Sequence, residues 1–361
     1  MRKLLVLLSA VALVVAFTVP VVAADKSVTF YGRVWMDTFI EKDSKEFNAG
    51  YTSSDTDLRW DMNDNATSRF GAKFKWGNML ANVEIRPFSA SMYRQWYASY
   101  NFGAGSLAIG HTWSPLYVNA TICGQSHAGG SMGGYGFWVG RLRQAQIRLK
   151  LGGLTVSLLE PASALTGTGS GADETDTTLP ALEVTYVAKL GAITLVPFFG
   201  YNSYDEVIRA TDKGYSIDSM VYGLTVKGAF GPAYVKGQLW KVKNPAEYGD
   251  GYYTGGFSSW FDGASIQDVD GTGYGLTAGM KLTDALSFEL GYGSADYELD
   301  RPGTYEDTAR AYYAQLPITI AKGVKIVPEI GKIDKGDHTV NGVKTEQGDS
   351  TYFGAIWMIH F

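Results

Sequence analysis

The stretch "VTFYGRVWMDTFI", residues 28–40, places Val28, Phe30, Val34, Met36 and Ile40 on one face and Tyr31, Arg33, Trp35 and Asp37 on the other. Successive side chains of a strand point to opposite sides, so this is a strand with one apolar and one polar face. "SRFGAKFKW", residues 68–76, repeats the pattern, with Phe70, Ala72, Phe74 and Trp76 against Arg69, Gly71, Lys73 and Lys75. "ALEVTYVAK", "YGLTVKGAF", "GYGLTAGMKL", "LSFELGY" and "VKIVPEIGK" carry the same period of two. The 44 Gly, 23 Tyr, 17 Phe and 9 Trp suit strands and turns better than helices. The chain reads as all-β.

A soluble sandwich and a transmembrane barrel both fit that pattern, and the connections separate them. Short breaks fall at Trp76–Asn78, Phe102–Gly105, Gly152–Gly153, Leu190–Gly191, Phe230–Pro232, Thr283–Asp284 and Ala321–Gly323. They alternate with mostly longer, polar connections such as "PASALTGTGSGADETDTT", "SYDEVIRATDKG", "NPAEYGDGYYTGGFSSWFDGASIQDVDG" and "DKGDHTVNGVKTEQGDS". In an up-and-down barrel every tight turn then lies on one side of the membrane and the loops on the other. The count is sixteen strands, near 27–41, 56–76, 78–87, 92–102, 105–113, 140–151, 153–160, 179–190, 191–202, 215–230, 231–243, 271–283, 284–298, 307–321, 322–333 and 350–361.

Energetics point the same way. Closing the sheet satisfies every edge donor and acceptor, which hydrocarbon demands because it holds no water. An Arg such as Arg69 on the lipid face would cost about 2–4 kcal/mol at mid-depth, so the basic residues should face the lumen. Sixteen strands enclose water rather than a packed core. The last segment, "TYFGAIWMIHF" (Thr351 to Phe361), puts Phe353, Ala355, Trp357, Ile359 and Phe361 on one face. Phe361 should anchor the closing strand in the interfacial aromatic girdle.

Arg2 and Lys3, the apolar run Leu4–Val19 and the small residues Ala23 and Ala24 have the form of a secretory signal peptide, with cleavage expected after Ala24 and residues 25–361 forming the barrel. The 31 basic residues less Arg2 and Lys3 leave 29 against 36 acidic ones. A nucleic-acid binder would be basic, so nucleic acid is not an expected partner. A lone cysteine, Cys123, excludes an internal disulfide.

With these residues located, the chain resembles the general bacterial porins of Gram-negative outer membranes. The resemblance is carried by "VTFYGRV", "SRFGAKFK", "YRQWYASYNFGAGSLAIGHTWSPLY" from Tyr93, and the aromatic closing strand. It implies a homotrimer of sixteen-stranded barrels, each narrowed by a third loop folded into the lumen. The matching loop is Ser114 to Gly140, which includes Pro115, Tyr117, Cys123, His127 and Tyr135. The resemblance also implies an arginine cluster on the facing wall, matched by Arg33, Arg69 and Arg94. The sixth-strand member is either Arg143, by spacing, or Arg148, by alternation. Phe361 corresponds to the family's signal to the barrel assembly machinery.

The loop departs from the family in holding no Asp or Glu, whereas general porins place acids there opposite the arginines. A positive ring without a facing acid should favour anions, tempered by Asp37, Asp61 and Glu84 on the lumen face.

Other chemistry has little support. Cys123 and His127 supply two ligands, too few for a zinc site. "QDVDGTG", Gln267 to Gly273, begins like a calcium loop but lacks the closing Glu, so it reads as a solvated extracellular loop, as does the acidic "GADETDTT". Either could meet lipopolysaccharide through divalent ions. His111 is the one candidate for a catalytic His on the outer rim. No cofactor and no enzymatic activity are expected.

The expected function is an outer-membrane channel for passive diffusion of small hydrophilic solutes and ions, with weak anion preference. The alternatives are a substrate-specific channel for sugars or aromatic solutes, along an inward track of Tyr31, Trp35, Trp96 and Tyr100, or a non-conducting surface barrel acting as adhesin or enzyme.

Overall fold

The computed structural model describes residues 26–47, 54–62, 68–86, 93–117, 135–137, 139–140, 143–161, 165–167, 174–208, 213–245, 248, 259–261, 265–299, 305–340 and 342–361. Residues 1–24, Cys123 and His127 lie outside them.

Among the described residues, sixteen antiparallel barrel strands follow one another in chain order. They are Lys26–Asp43, Asp55–Asp61 continued by Arg69–Trp76, Met79–Ile85, Tyr93–Asn101, Gly105–Trp113, Arg143–Leu151, Leu154–Leu159 and Ala181–Tyr186 continued by Ala188–Leu190. Then come Ile193–Ile208, Lys213–Phe230, Ala233–Lys243, Val269–Lys281, Ser287–Leu299, Tyr305–Gln315 continued by Ile318–Ala321, Val324–Asp334 and Asp349–His360. The first and last strands pair from Arg33↔His360 to Asp43↔Ser350, which closes the ring and leaves the sheet without an edge.

Closure explains the aromatic C-terminus. The Gly32 amide donates to the Phe361 carbonyl at 2.8 Å and the Phe361 amide to the Gly32 carbonyl at 3.1 Å. A side chain on Gly32 would meet the Phe361 ring at 2.3 Å, so the ring lies directly over that glycine. The terminal residue is thus held by both backbone and ring.

Alternation sets the two faces. Val28, Phe30, Val34, Ile40, Phe70, Phe74, Leu276, Leu290, Ile330, Phe353 and Trp357 are exposed on the outer wall, which for a water-soluble protein would be an unacceptable apolar surface and for a lipid-facing one is the expected band. Tyr222, Tyr274, Tyr292 and Tyr312 share that wall, and Tyr274 stacks on Tyr292 at 6.0 Å. Amphipathic rings of this kind favour the level of the lipid headgroups.

Three loop expectations need correction. "SYDEVIRATDKG" is mostly sheet, since Ile193–Ile208 and Lys213–Phe230 pair along their whole length and leave only residues 209–212 between them. Its polar residues belong to strands that outrun the apolar band. "QDVDGTG" is also strand: Gln267 ends Ile266–Gln267 and Val269 begins the twelfth barrel strand. In "GADETDTT", Glu174–Asp176 pairs with Val207–Asp205, so this stretch extends the wall. Leu165–Gly167, Ser259–Phe261 and Ile266–Gln267 form a second, three-stranded sheet that joins the loops after the seventh and eleventh barrel strands.

Candidate pore lining

The third loop leaves the fifth strand at Trp113 and turns inward. The Ser114 hydroxyl donates to Glu183 Oε2 at 2.6 Å and accepts the Leu116 amide at 3.1 Å, and the Tyr117 amide donates to the Ser114 carbonyl across Pro115. Leu116 and Val139, at the two ends of the loop, are buried with Phe198, Val221, Trp240, Val242, Tyr248 and Tyr297 of the wall and the sixth loop. The Gly140 amide donates to the Tyr248 carbonyl at 3.1 Å, tying the third loop to the sixth.

Between those ends, Tyr135 and Phe137 pack with Trp35, Phe39, Tyr313, Tyr352 and Met358 from the inward faces of the first, fourteenth and sixteenth strands. Gly136 sits between them at φ 91°, and a side chain there would meet the Ser294 carbonyl oxygen at 2.1 Å. The wall answers with its own glycines: a Cβ on Gly275 would lie 2.6 Å from Phe137 Cα, and one on Gly293 would lie 2.2 Å from the Tyr135 carbonyl oxygen. Trp240 Nε1 donates to the Gly136 carbonyl at 3.3 Å. The loop backbone therefore lies directly on the twelfth and thirteenth strands.

The facing wall, strands one to six, carries a cluster of arginines. Arg33 lies opposite Arg69 in the register of the first two strands, with its guanidinium 4.6 Å from the Trp35 ring. Arg94 Nε donates to Glu84 Oε1 at 2.7 Å, and Arg69 makes an ion pair with the same oxygen at 3.5 Å. Tyr31 donates to Glu84 Oε2 at 3.0 Å and to Asn82 at 2.9 Å, and Gln95 donates to Glu84 at 3.3 Å. Glu84 is only 3% exposed and Arg94 4%. A carboxylate so buried is held by its donors, and it cancels part of the charge of the two arginines.

Arg94 reaches this cluster through an irregularity. Glu84 pairs with Gln95 but Ile85 pairs with Tyr93, which leaves residue 94 as the extra residue of a β-bulge. Such a bulge re-aims a side chain. It also inverts the expected parity of the rest of the strand: Trp96 pairs with Val83 and is 57% exposed on the outer wall, with Tyr100 on the same face. The inward track of four aromatics is thereby overturned, and only Tyr31 and Trp35 point inward.

The sixth-strand alternatives also separate. Arg148 is inward, donating to Gln146 Oε1, to Ser157 at 3.3 Å and to the Trp113 carbonyl. Arg143, at the start of the strand, lies 4.3 Å above the Trp113 ring, whose other contacts are Arg94 at 5.7 Å and a stacked Tyr117 at 4.3 Å. Both arginines are thus near the root of the third loop, by different routes. Sequence reasoning did not find the anchors Glu183 and Trp113, and no local signal marks them. Among the described residues no three His, Cys, Asp or Glu side chains are grouped to hold a metal.

The family model for Gram-negative porins matches residues 10–338. The chain belongs to the Gram-negative porins. Solved structures of similar fold include the outer membrane channel DcaP of Acinetobacter baumannii, at 18% identity and TM-score 0.67 over 94% of this chain and 100% of that one. OmpF of Salmonella typhi matches at 10% identity and TM-score 0.60, over 92% and 97%. The anion-selective porin from Comamonas acidovorans matches at 14% identity and TM-score 0.59, over 93% and 100%. No curated protein sequence matches. This porin is accordingly an outer-membrane channel.

Proposed function

We propose that this porin is a non-enzymatic channel for passive diffusion of small hydrophilic solutes and ions, with a weak anion preference. The observation that carries the reading is the wall formed by Arg33, Arg69, Arg94, Arg143 and Arg148, in which Glu84 takes up part of the charge of two. The segment from Ser114 to Gly140 adds no acid opposite it. Fixed positive charge lining a narrow aqueous path raises the local concentration of anions.

The reading extends to the assembly. Residues 1–24 act as a cleaved signal peptide, Phe361 is read by the barrel assembly machinery, and three copies associate in a membrane of lipid and lipopolysaccharide. The outer face of strands two to five supports the trimer. It holds a shallow groove of about 330 Å³ lined by Phe74, Trp76, Met79, Tyr100 and Ile109, with Ala81 and Ala98 small enough to admit a neighbouring wall. Planar-bilayer recording of the purified protein tests the channel: three equal conductance steps per insertion are expected, and a protein that inserts without conducting would overturn it.

A further inference from the structure

One residue of the closing strand breaks a largely apolar face. In Asp349–His360 the inward positions run Tyr352, Gly354, Ile356, Met358 and then His360. Ile356 and Met358 are buried in the cluster that holds Trp35, Tyr135 and Phe137, whereas His360 is exposed. Its direction follows from the register of closure, in which Trp35 lies opposite Met358 and Arg33 opposite His360. Residues two apart on a strand share a face, so the imidazole points into the lumen beside the seat of the third loop.

The imidazole stands at the end of a row of arginines. Arg33 is opposed by His360 on one side and by Arg69 on the other, so the sixteenth, first and second strands bring the three together in one hydrogen-bonded row. Directly opposed residues have Cα atoms roughly 5 Å apart, which puts His360 and Arg69 about 10 Å apart across the first strand. Lys325 of the fifteenth strand acts on the same ring as Arg33 and Arg69 do. The backbone is held on both sides: the His360 amide donates to the Gly323 carbonyl at 2.7 Å and the Phe361 amide to the Gly32 carbonyl at 3.1 Å.

Acids on the packed elements bear on the row as well. Glu84 meets it through Arg69 at 3.5 Å and binds Arg94 more closely, at 2.7 Å. Asp37 of the first strand is 2% exposed and accepts the Trp35 indole N–H at 2.7 Å. Glu329 of the fifteenth strand is 4% exposed and accepts the Tyr352 hydroxyl at 2.8 Å. The terminal carboxylate of Phe361 follows His360 directly, and its oxygen accepts the Gly32 amide at 2.8 Å. Like charges set directly opposite one another weaken a sheet, yet pairing continues without a break from Arg33↔His360 to Asp43↔Ser350, which keeps the strand in place whether His360 is charged or not.

Arginine keeps its charge at any pH a protein meets, whereas histidine ordinarily gains or loses its charge between about pH 5 and pH 8. We propose that His360 makes the ion selectivity of the pore depend on pH: neutral, it leaves Arg33 and Arg69 as the cations of the row, and protonated, it adds a third. The inference rests on the channel reading above. It concerns the change in charge at one position, so it holds whatever share of the arginine charge the neighbouring acids take up. An ion passing the row stays within about 8–10 Å of all three groups, the distance over which fixed charge is felt at physiological salt. Anion preference therefore rises as the solution is acidified, and no movement of the loop is needed.

The test is the reversal potential of the purified channel under a potassium chloride gradient, with both compartments taken together from about pH 8 to about pH 5. The anion-to-cation permeability ratio should rise by about two- to fivefold on acidification, the most that one added charge near contact distance supplies in water. His360→Gln should remove most of that rise, and His360→Lys should hold the ratio near the acid value of the wild type across the whole range. A wild-type ratio that stays constant, a full rise retained in His360→Gln, or a His360→Lys channel that still titrates overturns the assignment. A channel that conducts with a constant ratio refutes this inference and leaves the channel reading intact, whereas absence of conductance refutes the channel itself.

Discussion

The two sides of the lumen are built on opposite principles. On strands one to six the inward face is polar and charged, with Tyr31, Arg69, Arg94 and Gln95 converging on Glu84. On strands nine to sixteen the inward face is aromatic and glycine-rich, and Trp240, Tyr297, Tyr313 and Tyr352 fill the space beside bare backbone on which the third loop lies. One wall supplies the field and the other supplies the seat for the element that narrows the pore. The third loop is seated on the aromatic and glycine-rich wall, across from the arginine cluster.

The largest effect should come from emptying the centre of the charged wall. Glu84→Ala leaves buried Arg94 without its carboxylate, and loss of one partner from a buried pair costs about 3–5 kcal/mol. The expected outcome is a marked fall in the unfolding temperature of the purified barrel, followed by heat-dependent gel mobility. Next comes the seat on the other wall. A β-branched side chain in Gly275→Val meets loop backbone, not a yielding side-chain tip, and overpacking of this kind costs about 1–3 kcal/mol. The loop should leave the wall, read as altered and noisier single-channel conductance with the barrel still folded.

Smaller changes sharpen the contrast. Glu84→Gln keeps the shape and removes one negative charge from the cationic wall. An unpaired charge in water is worth about 1 kcal/mol at contact distance, so the anion-to-cation permeability ratio should rise by up to about fivefold. No change in reversal potential would mean that this carboxylate lies outside the ion path. The least effect is expected from Trp113→Ala, which removes the ring shared by Arg94, Arg143 and Tyr117. A partly buried cation–π contact contributes about 0.5–2 kcal/mol, enough to loosen the loop root and increase current noise without unfolding the barrel.

How much of this was legible in the sequence follows from the range of each interaction. The sixteen strands and their tight turns were readable because alternation is local and repeated, and Val28 to Ile40 already displays both faces. Parity failed where one residue was inserted. In "YRQWYASY" a lumen-facing Arg94 implied lumen-facing Trp96 and Tyr100, and the bulge at Arg94 breaks that implication without leaving a mark in the residues themselves. Polar stretches such as residues 203–214 looked like loops because strands that rise beyond the membrane no longer need an apolar outer face. The anchor of Ser114 on Glu183 spans 69 residues of chain and depends on closure of the ring. Arg33, Arg69 and Arg94 were located by motif position, whereas on the sixth strand spacing pointed to Arg143 and alternation to Arg148.

The central claim is that the charged wall stays net positive after Glu84 has taken up its share. Reversal potential of the wild-type channel under a potassium chloride gradient measures that most directly. A potential of the sign set by chloride is the predicted result, and one set by potassium would contradict the account.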